Sequence, residues 1–153
     1  MRLVLFIGIP ASGKTTFYVE NFLRTHVRIS QDMLKTRRRQ QALLDACFAA
    51  DIDVVVDKTL VTRAARAPLL AEARARGVDV DGVYFASRID DCLRRNALRT
   101  DAQRVPDRGV RGHHARLQIP SFEEGFTSLT YVALHDDGFT TAPFAADPTP
   151  PEG

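Results

Sequence analysis

The stretch Gly8-Ile-Pro-Ala-Ser-Gly13-Lys14-Thr15 constrains this chain more than any other. It fits G-x-x-x-x-G-K-[ST] at every fixed position. An apolar run, Leu3 to Ile7, precedes it, and a segment that reads as a helix from Thr15 to about Arg24 follows. A strand, a glycine turn and a helix in that order aim successive backbone N–H groups and the positive end of a helix dipole at one point. That point suits phosphate. Gly8, Ala11, Ser12, Gly13, Lys14, Thr15 and Thr16 are the expected contacts. Lys14 would reach the β- and γ-phosphates and the Thr15 hydroxyl would ligate Mg²⁺, so ATP and Mg²⁺ are the expected cofactors.

The rest of the chain repeats the alternation of strand and helix. Strand candidates are Val27 to Ile29, Asp53 to Val56, Val80 to Ala86 and Leu129 to Leu134. Helix candidates are Met33 to about Ala50, Arg63 to Arg76 (stopped by Gly77), Ile89 to Leu98 and Gly109 to Leu117. This pattern predicts an α/β fold of the P-loop kinase kind, a mostly parallel sheet of about five strands with helices on both faces. With 153 residues the chain is expected to form one domain over residues 1–135. Residues 136–153, closing on APFAADPTPPEG, read as a polar, proline-rich and poorly ordered tail.

Composition narrows the class less than the motif does. Hydrophobic residues at 44% and charged residues at 26% suit a globular protein, and no run approaches the ~20 apolar residues of a membrane span. Cys47 and Cys92 lie far apart with no metal-ligand spacing, so reduced thiols and a cytoplasmic location are expected. A net charge of +2 is a weak argument for nucleic acid, although the cationic residues are concentrated: no Lys or Arg lies beyond Arg116.

The motif does not say where a phosphoryl group goes. No N-K-x-D guanine signature is present, and a small α/β chain suits a kinase. Asp32 follows the strand HVRIS and Asp57 ends the run DIDVVVD, so both should open into the crevice at the carboxyl ends of the strands. One carboxylate there can take the proton of an acceptor hydroxyl, and another can hold Mg²⁺ through water or fix the acceptor. Each also stands where an aspartate caps the next helix. In CLRRNALRTDAQRVPDRG, Arg95 and Arg99 share a helix face. Carried by a closing lid, such an arginine stabilises the transferring phosphate; left in solvent, it serves the helix dipole. Arg104 and Arg108 in the loop beyond are open to either role.

Taken in order, GIPASGKTT, RISQDMLK, VVVDKTL, RRNALRT…VPD and FEEGF resemble the kinase module of the 5′-hydroxyl polynucleotide kinase family over nearly all of residues 1–134. The resemblance implies a phosphotransferase that moves the γ-phosphate of ATP to the 5′-hydroxyl of DNA or RNA with Mg²⁺. It implies Asp32 as general base, Arg99 as the lid arginine and Lys35 on the phosphate of the acceptor nucleotide; Arg95, on the same helix face as Arg99, is a candidate for binding the nucleotide. Asp57, Arg38 and Arg63 join Lys35 as acceptor-binding candidates, from the basic runs KTRRRQ after Asp32 and Lys58, Arg63 and Arg66 after Asp57. Such runs are also the usual solvated faces of helices. The chain departs from the family at Gln31, where relatives carry Arg or Ser, and at Leu60, where Asn is common. No phosphatase or ligase segment accompanies the module, so separate nucleic-acid repair enzymes are expected partners alongside the 5′-OH strand. Two other functions fit the same residues. One is a kinase of a small hydroxylated metabolite, nucleoside or drug; the other is a regulatory nucleotide-binding ATPase without kinase activity.

Overall fold

Strand β1 (Arg2–Ile7) buries every residue after Arg2. Alternation along a strand sends neighbours to opposite faces, and here both faces are covered. Leu3, Leu5 and Ile7 pack with Leu44, Leu70 and Ala73, whereas Val4 and Phe6 pack with Phe17 and Tyr18. Each fully buried large side chain of this kind contributes roughly 1.5–3 kcal/mol. Double burial makes β1 a central strand. A computed structural model, which describes residues 1–144, places it inside a six-stranded sheet of order β2-β3-β1-β4-β5-β6.

Strands β2 (Val27–Ser30), β3 (Val54–Asp57), β4 (Asp79–Phe85) and β5 (Ser128–His135) run parallel to β1, and β6 (Gly138–Pro143) pairs antiparallel with β5. The helices are α1 (Lys14–Asn21), α2 (Gln31–Leu34), α3 (Arg37–Ala50), α4 (Arg63–Ala75), α5 (Ile89–Ala97) and α6 (Asp107–Arg116). α1 covers one face of the sheet while α3 and α4 cover the other. α5 and α6 meet the phosphate loop through a third cluster, Ile9, Ala11, Val61, Cys92 and Val110. The expected α/β architecture is borne out. Strand order reverses at β1, which has β3 on one side and β4 on the other, and such a switch point leaves a crevice at the carboxyl ends.

Two segments differ from the expectation. The helix expected from Met33 to Ala50 is two helices, broken where Lys35 takes a φ of 70° and the Thr36 hydroxyl caps α3 by accepting from the Arg39 N–H at 3.2 Å. The sheet has six strands rather than five, because the stretch expected as a tail from residue 136 begins with a tight turn, Asp136-Asp137, and then β6. β6 is polar and mostly exposed, so no apolar alternation marks it; the Asp-Asp-Gly turn signal does. Its Phe139 packs edge-on against Phe17 with ring centroids 5.1 Å apart. The remainder of the expected tail, residues 145–153, lies outside the described residues. Both cysteines are free and buried, and among the described residues no helix is long and apolar enough to cross a membrane.

Candidate active site

The loop after β1 is held in shape by its own chain. Gly8 N–H donates to the Thr59 carbonyl at 3.0 Å and Ile9 N–H to Ser87 Oγ at 3.1 Å, which ties the loop to the segments after β3 and β4. Both fixed glycines have a physical reason. A Cβ on Gly8 would lie 2.7 Å from Ser12 Oγ, and Gly13 enters α1 with φ 99°. Lys14 is partly exposed, and its ammonium uses its donors on the Gly8 and Ile9 carbonyls, each at 2.9 Å, and on Ser12 Oγ at 3.4 Å. Burial brings its pKa down to about 8, although the nearby Asp57 and Asp32 carboxylates pull the other way. Arg99 lies close enough to add to the lowering. Loop, both aspartates and lid arginine thus share one electrostatic neighbourhood.

Asp57 is buried at the end of β3. Its Oδ2 accepts from the Thr15 hydroxyl at 3.1 Å and from Arg28 Nε at 2.8 Å. Asp32 lies in the first turn of α2, exposed and with no hydrogen-bond partner among the described residues. Neither aspartate caps a helix. Ser30 holds the capping position before α2, and the Thr62 hydroxyl caps α4 by accepting from Ala65 N–H at 3.1 Å. Thr16 is exposed in the first turn of α1.

Four arginines of α5, α6 and the segment between them, Arg95, Arg99, Arg104 and Arg108, differ in their contacts. Arg95 donates to the Ala11 carbonyl at 2.9 Å and to the Leu134 carbonyl at 3.3 Å, so it binds α5 to the phosphate loop and to the end of β5. Arg104 donates to the Ala97 and Arg99 carbonyls at 3.2 and 2.9 Å and pairs with Asp101, which is the helix-end role of the two left open. Arg108 is exposed in the first turn of α6, and Arg99 is partly exposed near Lys14. Asn96, missed by the sequence reading, closes the loop between α5 and α6: it donates to the Val105 carbonyl at 2.5 Å and accepts from Val105 N–H at 3.0 Å.

Beyond Asp57 lies a cavity of about 610 Å³ between α3, α4 and α6. Ile29, Leu44 and Val56 lie on its apolar side, and Arg37, Lys58 and Arg116 give it positive charge. None of its lining residues is Phe, Tyr or Trp. Lys58 is half-buried, and burial together with the neighbouring Arg37 pushes its pKa down. The cavity therefore takes Arg37 rather than the expected Arg38, and Lys58 rather than the expected Arg63. Lys35 and Arg38 are exposed around the start of α3, and Arg63 donates to Ser121 Oγ at 3.3 Å.

Arg66, grouped by sequence with the acceptor-side cations, is a correction. It is 0% exposed, pairs with Glu124 at 2.7 Å and donates to the Leu60 carbonyl at 2.8 Å and the Gln118 carbonyl at 3.0 Å. It pins the loop after β3 from beneath. That loop needs the pin, because Leu60 sits at φ 41°, a region that Asn tolerates and Leu does not favour. The departure from Asn at this position thus places an apolar side chain in the core at a backbone cost.

The family model described as an AAA domain matches residues 3–120, well over half of the chain, and the chain belongs to that family. The bifunctional polynucleotide phosphatase/kinase of Schizosaccharomyces pombe is 25% identical over 135 residues, a match covering 86% of this chain and 33% of the relative. This chain thus spans about a third of that protein's length. The likeness bears out the resemblance read from the motifs. Among solved structures, Kti12 of Chaetomium thermophilum in complex with ADP-AlF3 matches with a TM-score of 0.63 at 19% identity, over 88% of this chain and 90% of that one. A gluconokinase from Sinorhizobium meliloti 1021 matches with a TM-score of 0.60 at 17% identity, over 86% of this chain and 81% of its own. The fold is that of a P-loop, kinase-like nucleotide-binding domain.

Proposed function

We propose that this member of the AAA-domain family transfers the γ-phosphate of ATP to the 5′-hydroxyl end of a DNA or RNA strand. The observation that carries this reading is the grouping of Asp57, Asp32 and Arg99 around Lys14, with a cavity lined by Arg37, Lys58 and Arg116 starting at the residue after Asp57. A nucleic-acid backbone needs cations free to meet it. Arg37, Lys58 and Arg116 have no ion-pair partner among the described residues, and Lys35, Arg38 and Arg39 are exposed nearby. The S. pombe relative, a polynucleotide phosphatase/kinase by name, supports the same acceptor.

Each side chain then has a task. Lys14 turns from the loop carbonyls to the β- and γ-oxygens of ATP. Thr15 and Asp57 fit Mg²⁺: they offer a hydroxyl and a carboxylate oxygen 3.1 Å apart, and the Arg28 guanidinium already stands against both. When bound, magnesium neutralises charge on the β- and γ-oxygens. Asp32, exposed and unpartnered, accepts the proton of the 5′-hydroxyl as that oxygen bonds to the γ-phosphorus. The bond to the β–γ bridging oxygen breaks and its electron pair leaves with ADP. Arg99 offsets the charge spread over the γ-oxygens.

The test is transfer of labelled γ-phosphate from ATP–Mg²⁺ to 5′-OH DNA and RNA oligonucleotides, with Asp32→Ala as control. Labelled oligonucleotide made by the wild type and not by the variant supports the proposal. A wild type that binds ATP yet labels neither strand overturns it. A small hydroxylated acceptor is the second reading, favoured by the cavity's want of stacking rings. Salt separates the two: several phosphate contacts would cost a strand about 10³-fold or more in affinity between roughly 50 and 200 mM, and a small neutral acceptor would lose little.

A further inference from the structure

Arg28 lies on β2, opposite Val55 of β3, and its side chain reaches past the strand end into the crevice. Its Nε donates to Asp57 Oδ2 at 2.8 Å and its Nη2 to Thr15 Oγ1 at 3.1 Å, while the Thr15 hydroxyl donates to the same Asp57 oxygen at 3.1 Å. Three groups close a ring. The Asp57 side chain is only 3% exposed, so its charge is costly unless a cation stands beside it. The Arg28 side chain keeps 22% exposure and rests 5.8 Å from the Tyr18 ring centroid, which leaves it a path to solvent.

The two oxygens that Arg28 bridges are the two that fit a divalent cation. An ion on them would stand within a few ångströms of the guanidinium, and like charges that close shift an equilibrium by about tenfold or more near a protein surface. We propose that Arg28 is an exchangeable counter-ion, holding Thr15 and Asp57 in the nucleotide-free protein and giving way to the divalent cation that arrives with the nucleotide. This rests on the nucleotide-binding reading of the loop and not on the identity of the acceptor. Metal entry and Arg28 release form one equilibrium, so Arg28 weakens the metal-dependent part of nucleotide binding.

Binding of a fluorescent ADP analogue to the full chain, with Mg²⁺ and with EDTA, tests this in the wild type, Arg28→Gln and Arg28→Lys. In Arg28→Gln the ratio of the metal-free to the metal-bound Kd should grow about tenfold. Arg28→Lys keeps the charge and should stay near the wild type. Thermal unfolding of the same samples gives a second readout. Arg28→Gln should melt lower than the wild type without Mg²⁺–ADP and regain the wild-type temperature with it, because the metal then serves Asp57. An Arg28→Gln protein with an unchanged Kd ratio and equal destabilisation in both conditions shows a merely structural arginine and overturns the proposal. If neither wild type nor variant binds the analogue in any condition, the nucleotide-binding reading falls first and this proposal with it.

Discussion

The phosphate-loop side of the molecule, proposed to hold the donor, and the side proposed to hold the acceptor are built in opposite ways. Around the phosphate loop the polar groups have partners: Lys14 on three oxygens of its own loop, Thr15 and Asp57 on each other and on Arg28, Arg95 on two carbonyls. On the acceptor side Asp32, Lys35 and Arg38 are exposed, and Lys58 faces Arg37, a like charge. The difference shows where preorganisation has been placed. The backbone of a phosphate cradle can be rigid, since fixed N–H donors need no reorganisation during reaction. Lys14 and Arg28 instead hold the nucleotide-free loop and, as proposed, exchange partners when the nucleotide arrives. The acceptor side's cations, Lys35, Arg38, Lys58 and Arg37, are left without an ion-pair partner among the described residues, as the proposed anionic strand would require. The two sides do share a backbone device: Ala11 and Leu60, in the loops after β1 and β3, and Lys35, between α2 and α3, all hold positive φ without being glycine. Such residues gather where the surrounding structure over-determines them.

Arg66 breaks this division, and the largest effect is expected there. It lies under the acceptor-side loop yet is partnered like a donor-side group, with Glu124 and two carbonyls. Arg66→Ala leaves Glu124 buried without its cation and should cost about 3–5 kcal/mol in urea unfolding. Arg63→Ala, three residues earlier and exposed, should stay within about 0.5 kcal/mol. Equal losses would mean that the acceptor side is braced throughout and that the contrast is wrong.

This pair also shows how far the sequence could be read. The phosphate loop was legible because its geometry is local: Gly8, Gly13 and Lys14 act through the backbone of a few adjacent residues. Arg63 and Arg66 belong to one basic run, and only tertiary packing separates them. A signal existed in helical spacing, since Arg66, Leu70 and Ala73 form the buried face of α4. Arg28 had no such signal. Its partners Thr15 and Asp57 meet it through the register of β2 on β3, where Ser30 lies opposite Asp57. Likewise β6, polar and at the sheet edge, is fixed by a hairpin turn and by Phe139 on Phe17 rather than by any apolar period.

The donor side can be sharpened with pH. The folded protein holds Lys14 at about 8, below its ordinary 10.5, so the unfolded chain binds the proton more tightly. From this group alone, native stability therefore rises between about pH 8 and 10.5, as the unfavourable buried charge is shed. Bound phosphates favour the charged form and raise its pKa again. ADP affinity should be flat below about pH 8 and then fall by up to about tenfold per pH unit, with proton uptake on binding. Calorimetric titration in buffers of different ionisation enthalpy measures that uptake. Affinity that is level through pH 9.5 would show that the loop does not hold Lys14 in the enclosed state.

The smallest expected effect probes the acceptor side at Lys58. Burial and the adjacent Arg37 already disfavour its charge, so Lys58→Ala removes a repulsion rather than a bond. Stability should change by less than about 0.5 kcal/mol, and in the stabilising direction if at all. The loss should fall on the acceptor instead. If Lys58 meets one backbone phosphate, the log–log dependence of oligonucleotide KM on salt should lose about one unit of slope, with kcat and ADP affinity unchanged. A fall in kcat or ADP affinity with the salt slope intact would place Lys58 on the donor side, and the boundary between the two halves would have to move from Asp57 to beyond the cavity's rim.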